Sequence, residues 1–341
     1  MKIAIGYRVV IGPWGGGNAF FNGLGKHFLS AGHEVVTDLC DGDVDIILLA
    51  DPRRLSTTSI SFNAAWRYVE RRNPNAVIVH RINECDERKN TKTMNARLRR
   101  CNEVADFTVF VGSWLRDLKV WCPDLNFGDQ TILNGSDGAV FSPKGFCPWD
   151  GKAPLKLITH HWGGNWMKGF DVYTQIDDML SDPRWRERIS FTYLGNLPKN
   201  FRFKNALHLL PERDVEIAKT LRQHHAYVTG SLNEPGGNHQ NEAAQCGLPV
   251  LYLQSGCMPE YLEGYGIGYR SADAFKKALD DLMANYPEAL ESIATYPNNL
   301  AKTCQEYEAL FDDLVTKCNA IIKKRARKRS LAFSLRHSLA L

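Results

Sequence analysis

The stretch Ser231 to Leu251, SLNEPGGNHQNEAAQCGLPVL, constrains the chain more than any other, because its punctuation dictates loop, helix and strand in turn. Pro235, Gly236 and Gly237 do not fit inside a helix, so Glu234 falls in a loop after a short strand over Ala226 to Thr229. His239 to Cys246 reads as a helix closed by Gly247, and Leu248 to Leu253 is apolar enough for a buried strand. Glu242 therefore rides on the helix, eight residues after Glu234. Unbonded N–H groups at the helix start, around Asn238, His239 and Gln240, join Gly236 and Gly237 in offering an anion a seat between two acids. An acidic pair on its own is commonly a solvated helix face.

The same alternation runs along the whole chain. Lys2 to Gly6 reads as a first strand, Gly12 to Gly17 as a glycine-rich turn, and Asn18 to Ser30 as an amphipathic helix closed by Gly32. Short buried strands follow at Val35 to Thr37, Val44 to Leu49, Ala76 to His80, Phe107 to Val111 and Gln130 to Leu133. FCPWDGKAP, from Phe146 to Pro154, has the composition of a linker. Strand Leu155 to Thr159, helix Phe170 to Leu180, strand Ile189 to Leu194 and helix Arg213 to His224 then lead into the motif. Strands alternating with helices imply doubly wound parallel sheets, which bind ligands at the carboxyl ends of their strands. The expected division is a first domain over 1–147, a linker over 148–154, a second domain over 155–320 and a basic tail over 321–341.

At 341 residues, 44% apolar and 23% charged, the chain can bury two cores. A net charge of +4, much of it in KKRARKR from Lys323 to Arg329, leaves the body without a nucleic-acid footprint. Nine cysteines with no C-x-x-C pair, after a start that lacks a signal-like apolar core, read as reduced thiols of a cytoplasmic protein. The longest apolar run, Ile46 to Ala50, is too short to span a bilayer.

Glu234 and Glu242 with the EAAQCGLPV continuation resemble the Glu-x7-Glu signature of retaining glycosyltransferases of the GT-B fold, specifically the family 4 group. ILNGSDGAVFSP from Ile132 to Pro143 resembles that family's joint at the end of its first domain, where Asn134-Gly135 alone would be only a turn signal. ITHHWGGNWMKGF from Ile158 to Phe170 stands where the family has G-R-L-x-x-x-K-G. Lys168-Gly169 matches, whereas the family's arginine is replaced by Gly163, leaving His161, Trp162 or Asn165 either to stand in or simply to pack. The resemblance implies two Rossmann-like domains facing across a cleft and a sugar transferred from a nucleoside diphosphate to a hydroxyl with retention. It assigns Lys168 to the diphosphate, Glu242 to the ribose hydroxyls and Glu234 to the donor sugar. His80, at the end of a strand, stands about where the family often has a histidine touching that sugar, and is equally readable as a satisfied core histidine.

Leaving-group charge must be met by fixed positive groups or N–H donors. Lys168 supplies the first, and the backbone of Gly15, Gly16 and Gly17 with the helix start supplies the second. No metal or cofactor is called for beyond the nucleotide-sugar substrate. Arg81, Asn83, Asp86 and Arg88 form a polar stretch suited to phosphate or acceptor, or merely to solvent. Other uses of the fold, as a sugar-nucleotide epimerase or a non-catalytic glycan- or nucleotide-binding protein, stay open. A dehydrogenase is a poor second: Asp38 is suitably placed, but Gly12, Gly15, Gly16 and Gly17 miss the G-x-G-x-x-G spacing and the Glu234 to Pro249 constellation would go unexplained. His160-His161 and His224-His225 are adjacent rather than four apart, which is poor spacing for zinc. Cys246 and Cys257 read as small packing residues. The tail pairs its basic cluster with Leu331, Phe333, Leu335, Leu339 and Leu341, which suits an anionic inner membrane face and a lipid-linked acceptor as well as it suits a solvated tail.

Overall fold

A computed structural model of the chain describes residues 1–10 and 16–326. They form two compact units, one of Met1–Leu133 with the chain from Thr303 onward, the other of Asn134–Lys302. The first unit holds a parallel sheet of β1 (Lys2–Ile5), β2 (Glu34–Val36), β3 (Ile46–Leu49), β4 (Val77–Ile82), β5 (Phe107–Phe110) and β6 (Gly128–Thr131), in the order β2-β1-β3-β4-β5-β6. The central strands read IILL, VIVHRI and FTVF and every residue of them is buried, as in a sheet covered on both faces. Trp66, Val69, Ile47 and Ile78 centre the core on one side, and Phe20, Phe21, Leu24 and Phe28 form the buried stripe of helix Gly16–Ser30.

The second unit holds β7 (Leu155–His161), β8 (Ile189–Gly195), β9 (Leu207–Leu209), β10 (Ala226–Thr229), β11 (Val250–Leu253) and β12 (Gly266–Tyr269), ordered β12-β11-β10-β7-β8-β9 and parallel throughout. The chain winds outward from β7 to β9, then returns to lay β10, β11 and β12 on the other side of β7. The gap between the ends of β7 and β10 is thus a topological switch point, where such sheets take their ligands. Phe170, Tyr173, Phe191 and Tyr193 pack one face into an aromatic core.

Several boundaries differ from the sequence reading. Helix Gly16–Ser30 starts two residues early, so Gly16 and Gly17 belong to its first turn, while Gly12 to Gly15 lie outside the described residues. β4 continues past His80 to Ile82, and the sixth strand ends at Thr131 rather than Leu133. The chain changes unit at Leu133, not at residue 147. The supposed linker belongs to the second unit: Trp149 packs against its core and donates its backbone N–H to the Tyr286 hydroxyl at 3.2 Å.

The tail assignment fails for residues 321–326, which complete helix Cys318–Ala326 in the first unit. Arg325 is 1% exposed and its guanidinium spans both carboxylate oxygens of Asp106, at 2.9 and 2.5 Å. It also donates to the carbonyls of Pro74 and Ala76, both at 2.6 Å. Residues 327–341, which carry the rest of the proposed membrane segment, lie outside the described residues. No helix among the described residues is long and apolar enough to cross a membrane, and all nine cysteines are free thiols.

Candidate active site

Lys168 reaches the switch point because the chain after β7 is drawn tightly against the chain after β10. Asn165 accepts the N–H of Met167 at 2.8 Å and so starts the single turn Trp166–Lys168. Gly169 ends that turn at φ 107°, where a Cβ would lie 2.6–2.9 Å from the backbone of Gly230. Leu232 then donates its N–H to the carbonyl of Met167 at 2.9 Å. With the two loops locked together, Lys168 Nζ stands 2.5 Å from Oε2 of Glu234, the side chains being 14% and 4% exposed.

The glycine loop is held from three directions. Behind Glu234, Gly256 sits at φ 58°, where a Cβ would fall 2.5 Å from the Glu234 nitrogen, and Cys257 donates its N–H to the Glu234 carbonyl at 2.9 Å. From the helix His239–Gln245, Gln240 and Asn241 donate side-chain N–H groups to the Gly237 carbonyl at 2.7 and 3.2 Å. From the chain entering the unit, Asn134 donates to the Gly236 carbonyl at 2.7 Å. Asn134 is itself clamped, its carbonyl by Asn241 at 2.9 Å and its N–H by the Tyr261 hydroxyl at 2.7 Å. Asn134-Gly135 is thus more than a turn: it ties the loop to the start of the unit, and a Cβ at Gly135 would collide with the backbone of Asn299 at 2.1 Å.

Glu242 lies on the far side of the loop, where His160, on β7, holds its Oε2 at 2.6 Å. His161, one residue on, points to the opposite face of the sheet, as neighbours on a strand must. There its Nε2 meets the Tyr173 hydroxyl at 2.7 Å and its ring lies edge-on to His239 at 4.6 Å. His239 in turn bonds the Thr229 hydroxyl at 3.0 Å. Burial pushes the Tyr173 phenol up to about 12, so it stays protonated as a hydrogen-bonding group. Among the described residues no three His, Cys, Asp or Glu side chains group as metal ligands.

Lys168, Asn165, Glu234, Gly236, Gly237, Asn238, His239 and Glu242 thus share the second unit, most of them around one switch point, while His80, Gly16 and Gly17 belong to the first. His80 does not end its strand and does not face solvent. It is fully buried, bonded to Asn102 at 3.1 Å and packed edge-on against Phe62 at 4.6 Å, and burial pushes it down to about 3. The polar stretch after it turns inward too: Arg81 is 2% exposed with its guanidinium 4.0 Å from the Phe20 ring centre, and Asp86 caps helix Met94–Asn102 through the N–H groups of Met94 and Asn95. His161 is enclosed against Tyr173, and Asn165 uses its side-chain oxygen as a cap. Gly163 faces open space, with nothing within 4 Å of an added Cβ. Sequence reasoning passed over His160 as a partner for Glu242, although β-strand alternation separates it from His161.

The sequence matches no protein-family model and no curated protein. Solved structures do match over nearly the whole chain. A sucrose-phosphate synthase from Thermosynechococcus elongatus superposes with a TM-score of 0.67 at 15% identity, covering 92% of this chain and 99% of that one. HepE from Anabaena, solved with UDP and glucose, gives 0.64 at 13% over 92% of this chain and 100% of that one. The catalytic domain of starch synthase IV from Arabidopsis thaliana, bound to ADP and acarbose, gives 0.59 at 13% over 89% and 79%. At such identities the likeness is one of fold: two Rossmann-like parallel-sheet domains of the GT-B type.

Proposed function

We propose that the chain is a retaining, metal-independent glycosyltransferase that moves a sugar from a nucleoside diphosphate to an acceptor hydroxyl. The observation that carries this reading is the convergence of Lys168, Glu234 and Glu242 on one switch point of the second sheet, with a glycine loop braced between the two acids. Neighbours of the same fold solved with UDP or ADP support a nucleotide donor. In this reading Glu242 accepts the ribose hydroxyls and Lys168 turns from Glu234 to the diphosphate. Glu234, released, orients the sugar hydroxyls and offsets positive charge at the anomeric carbon. The bond from that carbon to the phosphate oxygen breaks, the acceptor oxygen bonds on the same face, and its proton passes to the departing phosphate. No side-chain base is needed.

The test is a panel of UDP- and ADP-sugars with product analysis by NMR. The expected product keeps the donor's anomeric configuration and forms in the presence of EDTA; an inverted anomer overturns the reading. UDP or ADP raises the melting temperature, and Glu242→Ala weakens binding by about 1.5–3 kcal/mol, the scale of a charged hydrogen bond. A non-catalytic nucleotide-binding role is favoured by one observation, the glycine at position 163 that leaves Lys168 as the cation at the loop; binding without turnover across the panel selects it. The acceptor in our reading is a glycan or lipid-linked, in cell-surface polysaccharide synthesis, with the basic segment near the C-terminus drawn to anionic lipid. Truncation after Ala326, which spares Arg325, abolishes salt-sensitive sedimentation with phosphatidylserine vesicles if so.

A further inference from the structure

His160 is a residue whose placement the transfer reaction does not itself explain. Its side chain is 6% exposed, and its backbone is pinned from β10 by Tyr227, whose hydroxyl receives the His160 N–H at 3.1 Å and lies 3.2 Å from the His160 carbonyl. The same tyrosine packs edge-on to the imidazole at 5.5 Å. Nε2 stands 2.6 Å from Glu242 Oε2, while Nδ1 is buried with no hydrogen-bond partner among the described residues. A buried N–H donor without a partner costs more than the pairing can spare, so the network assigns the proton to Nε2, donating to the carboxylate.

Glu242 is 17% exposed, and its other oxygen, Oε1, has no hydrogen bond among the described residues. One edge of the carboxylate is thus fixed and the other is open. A further acid feels its charge. Asp214, at the start of helix Asp214–Leu221, is raised above the usual carboxylate range by burial first and then by the charges of Glu242 and Asp137. Among the described residues, His160 is the side chain that hydrogen-bonds the Glu242 carboxylate.

We propose that His160 is a positioning residue that presets Glu242 to accept the paired hydroxyls of a ribose, so that the chain discriminates ribonucleoside from deoxyribonucleoside diphosphates through the imidazole. The proposal rests on the assignment of Glu242 to the ribose. A vicinal diol offers two donors in a fixed fork, which a carboxylate meets with both oxygens only if its plane is held; one bond to a rigid imidazole does that at no cost when the ligand arrives.

The experiment compares His160→Gln with His160→Asn. The glutamine amide reaches the place of Nε2 and can still donate to Glu242; the asparagine amide sits near Nδ1 and cannot. Affinities for UDP and ADP are measured by calorimetry, each beside its 2′,3′-dideoxy counterpart. The expected result is a loss of about tenfold for the ribonucleotide in His160→Asn, the worth of one charged hydrogen bond. His160→Gln recovers to within about threefold of the parent, and neither substitution alters binding of the dideoxy ligand. Equal affinities in the two variants, or equal losses for ribo and dideoxy ligands, overturn the proposal, the second outcome meaning that His160 only supports the fold. If Glu242→Ala leaves ribonucleotide affinity unchanged, or no ribonucleotide binds the parent chain, the donor reading itself falls and this inference with it.

Discussion

A buried ion pair lies in each unit, and the two differ in the cation that makes them. In the first unit Arg325 meets both oxygens of Asp106 and two backbone carbonyls, while Asp106 also accepts the N–H of Ile78 at 2.9 Å; both side chains are 1% exposed. In the second, Lys168 meets one oxygen of Glu234 with a flexible ammonium that is 14% exposed. A planar guanidinium filled on every side has nothing to gain by moving, whereas an ammonium on four methylenes can change partner through a small rotation. The two pairs thus differ in the stiffness of the cation: a planar fork in the first unit, a flexible ammonium in the second.

The sharpest way to break this contrast is Arg325→Ala. It strands a buried carboxylate and is expected to lower the unfolding free energy by about 3–5 kcal/mol in denaturant titration; a loss under about 1 kcal/mol would mean that water reaches Asp106. Lys168→Ala comes next, read in turnover: kcat falls roughly a hundred- to a thousandfold, about 2.7–4 kcal/mol of barrier, as when an oxyanion donor is removed. Near-normal turnover in the folded variant would make Lys168–Glu234 a structural pair after all.

Smaller again is a pH effect in the first unit. His80 is held neutral down to about 3, whereas the unfolded chain takes up that proton near the ordinary histidine value of about 6.5. Between those limits the unfolded state binds more protons, so stability is full above about 6.5 and falls toward about 3 at up to roughly 1.4 kcal/mol per pH unit. His80→Asn, which keeps an acceptor for Asn102, should flatten the stability profile over pH 4.5–6.5 by that slope; an unchanged profile would place the titration elsewhere. The gentlest change is Gly163→Arg. With open space at the Cβ, it is expected to leave stability within about 0.5 kcal/mol and to tighten UDP or ADP binding. Weaker binding would show that the loop needs its glycine.

The strand Ala226–Thr229 and the helix starting at His239 fall where the sequence puts them, because Pro235, Gly236, Gly237 and Gly247 punctuate them locally. The parallel sheets were equally legible from unbroken apolar runs such as IILL. What escaped reading depends on partners far along the chain. Arg81 looked like the first residue of a solvated loop, yet it is covered by Phe20 from the first helix. Asn134 looked like half of a turn, yet its side chain bonds Gly236, 102 residues later. Lys323 to Arg329 looked suited to an anionic membrane face or to solvent, yet Arg325 among its cations is the counter-charge of Asp106. A polar side chain announces that it needs a partner, and only the fold decides whether that partner is water.

The Arg325–Asp106 pair also sets an order in time. Its members are 219 residues apart, and the whole continuous second unit is encoded between them. At a synthesis rate of about 5–20 residues per second, Asp106 leaves the ribosome on the order of ten to forty seconds before its arginine. Before that interval ends the second unit has every strand it needs, whereas β4 and β5 of the first still lack the guanidinium that their shared acid meets in the folded chain. The part of the protein made first is therefore the part finished last, and a chain stalled before Arg325 carries a complete second unit and a first unit whose Asp106 has no guanidinium.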